Sequence, residues 1–429
     1  MINFVVHVFS SMPLKKFLLF VFFLLFIQTP FQAQTIKCGT DASKLSEFLK
    51  LQPTRKTLNR SGKLISNSTF DTLIIPVVVH ILFNTPEQNI SDEQVKSQID
   101  VLNEDYKGIN STIAETPDIW KSLISDSKIR FCLASRTPGS NPQNTTGIIR
   151  KYTSTISYPS YNDSIKFSVL GGSDAWQTSE YLNVWVCNLQ DGVLGYATLP
   201  GGDSLNDGIV VHFKAFGRLE NTLSRYDYGR TLTHETGHYF NLIHIWGDDN
   251  SGSPCSLDDY VSDTPLQSQA TYCCPHFPNY DACQTNGNGI MFMNYMDYSD
   301  DKFMQFFTPG QIERMDTAIN DYRSSLFTSK GCIQPIAYSK DLLIEDILLP
   351  QANMADRCFQ PVVRIRNVGT QQSNGFTIEY NIFNGNIKKW KVNNVFSAGS
   401  DTLITLPEIA GKEKNNILEV RIAESDRCN

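Results

Sequence analysis

The chain reads as an α+β domain on a mixed, twisted sheet with one helix at its working face, followed by a smaller all-β sandwich. Three observations carry this. From residue 71 to residue 333, β-branched strand segments alternate with helical periods. After Pro335 only short β segments recur, separated by turn signals. Between those regions of texture one helix carries His234-Glu235-Thr236-Gly237-His238, with His244 six residues further on. The first strand, Thr72–Phe83, is strongly β-branched, and Pro76 marks it as a sheet edge or a point where pairing starts, because proline has no N–H to give. Ser91–Asp105 is a helix: Ser91 and Gln94 make a capping box, and Val95, Ile99 and Leu102 recur at helical spacing. Lys128–Ala134, Tyr181–Cys187 and Gly208–Phe213 are further strands, the last directly before the histidine helix. Strand, helix, strands and then a helix imply a mixed sheet with helices packed on it.

Two histidines four apart sit about 40° apart around a helix, so both imidazoles point the same way. That spacing grips one Zn²⁺, with Glu235 between His234 and His238 aimed at the water the metal polarises. His244 closes the ligand set if the helix stops and the chain turns back; Asn241 tolerates the left-handed conformation such a stop needs. The bland alternative is an amphipathic helix with surface histidines. Downstream, Met291-Phe292-Met293-Asn294-Tyr295-Met296-Asp297-Tyr298 looks like a turn built on a methionine, with a tyrosine two residues later.

The long motif HExxHxxGxxH followed by a Met-turn is that of the metzincins, with Asn241 in the place of the glycine. Read together with Trp246-Gly247-Asp248, Val261–Pro265 and Asn294–Tyr298, the chain resembles the pappalysin family of metzincin zinc peptidases over roughly residues 36–330. The resemblance implies a metzincin-like catalytic domain in which Tyr298 supplies a phenol for the oxyanion and Met296 forms an apolar floor under the histidines. It places Asp301 in the pocket for the residue after the cleaved bond, where a buried carboxylate selects Arg or Lys; Asp300 beside it could do the same. Asp258, Asp259, Val261 and Thr264 resemble the family's calcium loop, oxygen donors that suit a hard cation. Lys37-Cys38-Gly39 resembles the cysteine switch of latent members, in which a propeptide thiolate occupies the open zinc position; the other reading of Cys38 is a plain disulfide. Activation then needs a cut between Cys38 and Asp71, and Arg55, Lys56, Arg60 and Lys63 offer basic sites for self-cleavage. Relatives carry two disulfides round the specificity loop. Cys255 with Cys283 fits the first; for the second Cys274 fits one half, but Phe303 holds the partner position, so Cys274 joins Cys273, pairs elsewhere or stays free.

The gross features fit export. Lys15 and Lys16 precede an apolar run, Phe17–Ile27, and Ala33 ends the segment, so residues 1–33 read as a signal peptide whose cleavage leaves no transmembrane span; an uncleaved anchor is the alternative. Residues 34–70 are polar and weakly patterned and read as a propeptide, before the catalytic domain at 71–333. Ten cysteines in an exported chain are expected to pair for the most part. A net charge of −7 without a basic stripe argues against nucleic acid. In residues 335–429 the segments Leu342–Leu349, Gln360–Asn367, Phe376–Phe383, Asp401–Leu406 and Asn416–Ile422 predict an immunoglobulin-like sandwich, stapled by Cys358 and Cys428. Arg366–Thr370 resembles adhesion-type modules, whose partner would be a surface or polymer. The expectation is a secreted zinc endopeptidase, extracellular or cell-surface associated, made as a zymogen and acting on proteins or peptides. The alternatives are a catalytically idle adhesin and a zinc hydrolase of non-peptide bonds.

Overall fold

The computed structural model describes residues 36–40, 72–140, 142–219, 221–248, 255–335, 340–349, 358–382, 385–411 and 418–423. The signal segment, the basic sites at 55–63 and Cys428 lie outside the described residues. The elements of the first region are β1 (Ile36–Cys38), β2 (Leu73–Phe83), α1 (Asp92–Lys107), the short α2 (Asp118–Lys121), β3 (Ile129–Leu133), β4 (Ile148–Tyr152), β5 (Leu182–Cys187), β6 (Val193–Ala197), β7 (Ile209–His212), α3 (Arg230–Tyr239) and α4 (Pro309–Tyr322). Seven strands form one sheet in the order β1-β6-β7-β5-β2-β3, with β4 following β3 along the same side of β2. Neighbours run parallel except β6 against β7. Strand β1 pairs with β6 in parallel at the sheet's edge, Cys38 opposite Gly195.

β2 is an interior strand, paired on both sides, which corrects the edge reading of Pro76. Its odd-numbered residues turn their backbone groups toward β3 and β4: Leu73 N–H donates to Lys128 O and Val79 N–H to Gly147 O. Pro76 therefore turns its missing donor toward β5, whose pairing begins only at Val77. No ladder bond is lost there. Both faces of β2 are covered, as a parallel sheet requires. Val77, Val79 and Ile81 pack with Val95, Ile99 and Leu102 of α1, Leu232 of α3 and Ile312, Met315 and Ile319 of α4. Leu82 and Trp185 pack on the opposite face with Tyr158 and Ile165. Each such fully buried side chain contributes roughly 2 kcal/mol, so the core fixes the position of α3. The box expected at α1 is half formed. Ser91 Oγ accepts from Gln94 N–H at 3.1 Å, but the Gln94 amide reaches instead to Phe216 O and Leu219 N–H, tying the helix to the loop before α3.

Two histidines in strands are structural. His80 lies between Ser173 Oγ (2.9 Å) and Asn183 Oδ1 (3.1 Å), and His212 Nε2 is 3.2 Å from Asn188 Oδ1. Burial lowers each from 6.5 to about 4. Between those values the unfolded chain binds more protons than the folded one, so stability falls as pH drops from 6.5 to 4, by up to about 3 kcal/mol per histidine. The melting temperature should fall across that window, less steeply for His80→Asn. Identical pH slopes for the two proteins would refute the assignment.

The later region is β-rich. Strands β8 (Leu342–Leu349), β9 (Cys358–Phe359), β10 (Val362–Asn367), β11 (Ser373–Ile382), β12 (Lys388–Phe396), β13 (Asp401–Thr405), β14 (Ile409–Ala410) and β15 (Leu418–Ile422) make sheets β13-β10-β8 and β12-β11-β15 and a β14-β9 ribbon. Val363, Ile365, Phe376, Ile378, Val392 and Ile404 from both three-stranded sheets share one apolar cluster. Cys132 of β3 is joined to Cys332 on the stretch that leads there, and Asn144 Nδ2 donates to Asp341 Oδ2 at 3.3 Å. Cys358 is exposed and joined to no described cysteine.

Candidate active site

Helix α3 is buried along its whole length and places His234, Glu235 and His238 in the interior beside β6 and β7. It stops where Phe240 N–H is shared between Thr236 O and Gly237 O, and Leu242 N–H closes back on Gly237 O at 2.8 Å. Asn241 takes the left-handed conformation at φ 72°, and the chain turns back to bring in His244. Asp248 accepts from both the backbone N–H and Nδ1 of His244, and the Trp246 ring stacks on that imidazole at 4.5 Å. A Cβ on Gly237 would meet Met296 Sδ at 2.6 Å, so the methionine packs hard against the helix below the histidines.

The chemistry of the three imidazoles calls for a cation. His234 Nδ1 faces Tyr295 O (2.6 Å), His238 Nδ1 faces Leu242 O (2.8 Å), and His244 Nδ1 faces the Asp248 carboxylate. Those oxygens only accept, so each Nδ1 carries the proton and each Nε2 presents a lone pair. The His238 Nε2 lies 3.1 Å from that of His234 and 3.2 Å from that of His244, with no proton between them. Tetrahedral zinc at about 2.0–2.1 Å would space its nitrogen ligands about 3.3 Å apart, which fits. Burial, then the charge of neighbouring imidazoles, holds His238 down to about 3 and His234 well below the ordinary range, so both are neutral. Cys38 Sγ completes the set, the four ligand atoms lying within 4.8 Å of one another. Burial and then the Glu235 charge push the thiol far above its ordinary value, so only a cation at this point would hold a thiolate.

Glu235 is fully buried and, without a cation beside it, is pushed by desolvation up to about 8. Its Oε2 accepts from Thr40 Oγ1 (3.0 Å) and the Cys38 thiol (3.5 Å), while Oε1 has no partner. Gly195 leaves the space for it, since a Cβ there would stand 2.9 Å from Glu235 Cγ. Tyr298 packs its ring against His234 (5.7 Å), His244 (4.9 Å) and Trp246 (4.8 Å).

The two acidic neighbours after the turn differ in kind. Asp300 is engaged by Arg225 through three bonds of 2.7–3.0 Å near the surface. Asp301 is buried; its Oδ2 accepts from the N–H groups of Tyr228 and Arg230, and its Oδ1 is unpartnered. Lys37, which the sequence reading passed over, is the buried ammonium facing this acidic end. It donates to Ser299 O at 2.6 Å and lies over the Tyr226 ring at 5.9 Å. Burial lowers it to about 8 against the charges of Asp301, Asp297 and Asp300. Thr40 was also missed; besides Glu235 its hydroxyl meets Ala197 N–H of β6 at 3.2 Å. No sequence pattern marks either residue, because their meaning comes from the strand that β1 adds.

Elsewhere, Asp259 is buried, with Val261 N–H and Thr264 Oγ1 on its carboxylate, and Val261 O also faces Thr264 Oγ1. Asp258 turns instead to Tyr260 N–H. Cys255 is joined to Cys283, and Cys273 to Cys274. Cys187 is a buried free thiol.

Three converging histidines, a buried glutamate on the helix that carries two of them and a methionine beneath define a zinc metalloendopeptidase. Residues 169–320 match the peptidase family described as pregnancy-associated plasma protein-A. The chain is similar to mirolysin solved with a bound compound, at 47% identity and a TM-score of 0.57 over 60% of this chain and 96% of that one. It is similar to a promirolysin variant of Tannerella forsythia at 42% identity and a TM-score of 0.60 over 68% and 97%. An extracellular metalloprotease of Arthroderma benhamiae is 30% identical over 278 residues, 62% of this chain and 79% of that one. The chain belongs to the pappalysin family of metalloproteases.

Proposed function

We propose that this chain is a secreted endopeptidase, held latent by its own N-terminal segment and cutting before Arg or Lys. One observation carries the reading: β1 sets Cys38 on the histidine cluster, Thr40 on Glu235 and Lys37 at the acidic end with Asp301. The three contacts block three parts of a single site. The promirolysin structure matches more of this chain than mirolysin does, 68% against 60%, which supports a zymogen. Relatives named as extracellular support export, and no helix among the described residues is long and apolar enough to cross a membrane.

His234, His238 and His244 would hold zinc, with Cys38 as the fourth donor before trimming. When bound, zinc supplies a Lewis acid that lowers the pKa of water toward about 7. Glu235 takes the proton from the attacking water and passes it to the leaving amine, with Oε1 already free to do so. The Tyr298 phenol donates to the oxyanion. Once residues 36–40 leave, β6 is an open edge whose N–H groups, Ala197 among them, bind an extended peptide backbone. Without Lys37 the buried carboxylates there, Asp301, Asp297 and Asp105, face Arg230 alone, so a basic side chain after the cleaved bond restores the balance. Asp259, Val261 and Thr264, with Asp258 alongside, supply oxygens for calcium. The organisation that goes with this reading is a signal peptide at 1–33, a prosegment at 34–70, the catalytic domain at 71–333 and an immunoglobulin-like sandwich at 335–429.

Asp248 has a positioning role toward His244, the one ligand outside the helix. Asp248→Ala is expected to weaken zinc binding roughly 10–100-fold in competition with a chelator, with Asp248→Asn between it and the parent. Unchanged zinc affinity in both variants would remove the assignment. The function as a whole is tested by mapping cut sites in a denatured protein mixture by mass spectrometry. Enzyme trimmed beyond residue 70 should cut before Arg and Lys and stop when zinc is chelated; a zinc-loaded, trimmed protein that makes no cuts would overturn the reading.

A further inference from the structure

Cys273 and Cys274 are adjacent, joined to each other, and both solvent-exposed. Nothing in the chemistry above uses them. A disulfide between neighbours closes a ring round a single peptide unit and removes its freedom to rotate, here with Cys273 in the left-handed region at φ 64°. A non-glycine residue leaves that region when nothing holds it there.

The surrounding contacts show what the ring holds. Cys273 O accepts from Asp300 N–H at 3.0 Å, and Thr271 N–H donates to Asp297 Oδ1 at 2.7 Å. Between them the Tyr272 ring meets the Tyr298 ring edge-on at 5.8 Å. Residues 271–273 thus grip residues 297–300 at three points. The gripped segment carries Tyr298 against the histidines and leads directly into Asp301. Asp300 is tied to Arg225, whose carbonyl accepts from Asp301 N–H at 3.0 Å. The carbonyl that anchors this wall belongs to the peptide unit the disulfide ring encloses.

We propose that the Cys273–Cys274 disulfide is a specificity-determining clamp, which holds Tyr298 and the Asp301 pocket in register and makes the selectivity of the enzyme sensitive to thiols. The proposal rests on the reading of Asp301 and Tyr298 given above. The release step is thiol exchange: a dithiol sends one thiolate onto a protein sulfur, forming a mixed disulfide and freeing the other protein thiolate. The reductant's second thiol then attacks its own sulfur in the mixed disulfide, which breaks that bond, releases the second protein thiolate and leaves a cyclic disulfide. Two electrons and two protons pass to the protein, giving two thiols. Relaxation of Cys273 withdraws its carbonyl from Asp300 N–H, and the Asp301 carboxylate loses the sub-ångström placement that discrimination needs.

The experiment uses trimmed enzyme and two fluorogenic peptides that differ only in Arg or Leu after the cleaved bond. It compares the parent before and after dithiothreitol with Cys273→Ser/Cys274→Ser, and maps the cysteine state by differential alkylation and mass spectrometry. Alkylation should find the pair joined in the native parent. The double variant should lose about 10-fold of the Arg-over-Leu ratio in kcat/KM, mostly through KM of the Arg peptide. Its ratio should not respond to dithiothreitol, and the reduced parent should fall to the same value, which separates the clamp from the other disulfides and from metal loss. A double variant with the parent ratio, or a native pair found as free thiols or joined to other cysteines, overturns the clamp. If the oxidised parent shows no preference for Arg, the pocket reading fails by itself. The clamp then stands or falls on kcat with the Leu peptide, which a displaced Tyr298 lowers several-fold and an idle disulfide leaves unchanged. Should the double variant not fold, the reversible change in the parent decides.

Discussion

Glu235→Gln is expected to lower kcat/KM of the trimmed enzyme by roughly 10³-fold while leaving zinc content and fold intact. The side chain is fully buried, and glutamine keeps its volume and its contact with Gly195, so packing gives no reason for collapse. What the substitution removes is the atom that accepts a proton. Oε2 is engaged by the prosegment, Oε1 by nothing, so trimming leaves both oxygens free for that role. Proton transfer by a positioned side chain is worth about 10²–10⁴ in rate, and the upper half applies where solvent cannot substitute. The check is kcat/KM on a single peptide together with zinc per mole of protein. A zinc-replete variant within 10-fold of the parent would show that another group moves the proton. The same variant should also fail to trim its own prosegment, unless a different protease makes that cut.

What was legible in the sequence follows from how local each signal is. His234, Glu235 and His238 lie on one helix, and Asn241 marks its stop, so spacing alone defines the constellation. The strands covered on both faces, β2 and β5, read as apolar runs because β5 is buried throughout and β2 at every position from Ile75 to Leu82. β6 was missed because Gly195 interrupts its pattern, and the reason for that glycine is Glu235, forty residues away in sequence. β12 was missed because only Val392 and Phe396 face the core along its nine residues. Lys37 and Thr40 acquire roles only when β1 pairs with β6, a contact that spans more than 150 residues. Long-range placement likewise decides between the two acidic neighbours. The family resemblance favours Asp301 with Asp300 as the alternative, and the structure separates them: Arg225 takes Asp300, and Asp301 is buried.

That division makes Asp301 the site of the other large effect, and it should be visible twice. In trimmed enzyme, Asp301→Asn is expected to reduce the preference for Arg over Leu after the cleaved bond by about 100-fold. Loss of one partner from a buried ion pair costs about 3–5 kcal/mol, and some of that is regained by water entering the pocket. Asp300→Asn should change the ratio far less, because its charge is spent on Arg225. In the untrimmed protein the same Asp301 substitution should weaken latency. Lys37 is 1% exposed, and among the neighbouring charges that support its ammonium Asp301 acts most strongly. Without that carboxylate the buried ammonium keeps only the weaker support of Asp297 and Asp300, so the strand carrying Cys38 is held less firmly in the site. Lys37→Met removes that buried charge, so Lys37→Met/Asp301→Asn should be more latent than Asp301→Asn alone. Basal turnover of the four untrimmed proteins forms a double-mutant cycle whose coupling reads the pair directly. Strictly additive effects would mean that Lys37 and Asp301 act independently, and that the prosegment is held by Cys38 and Thr40 without the pocket.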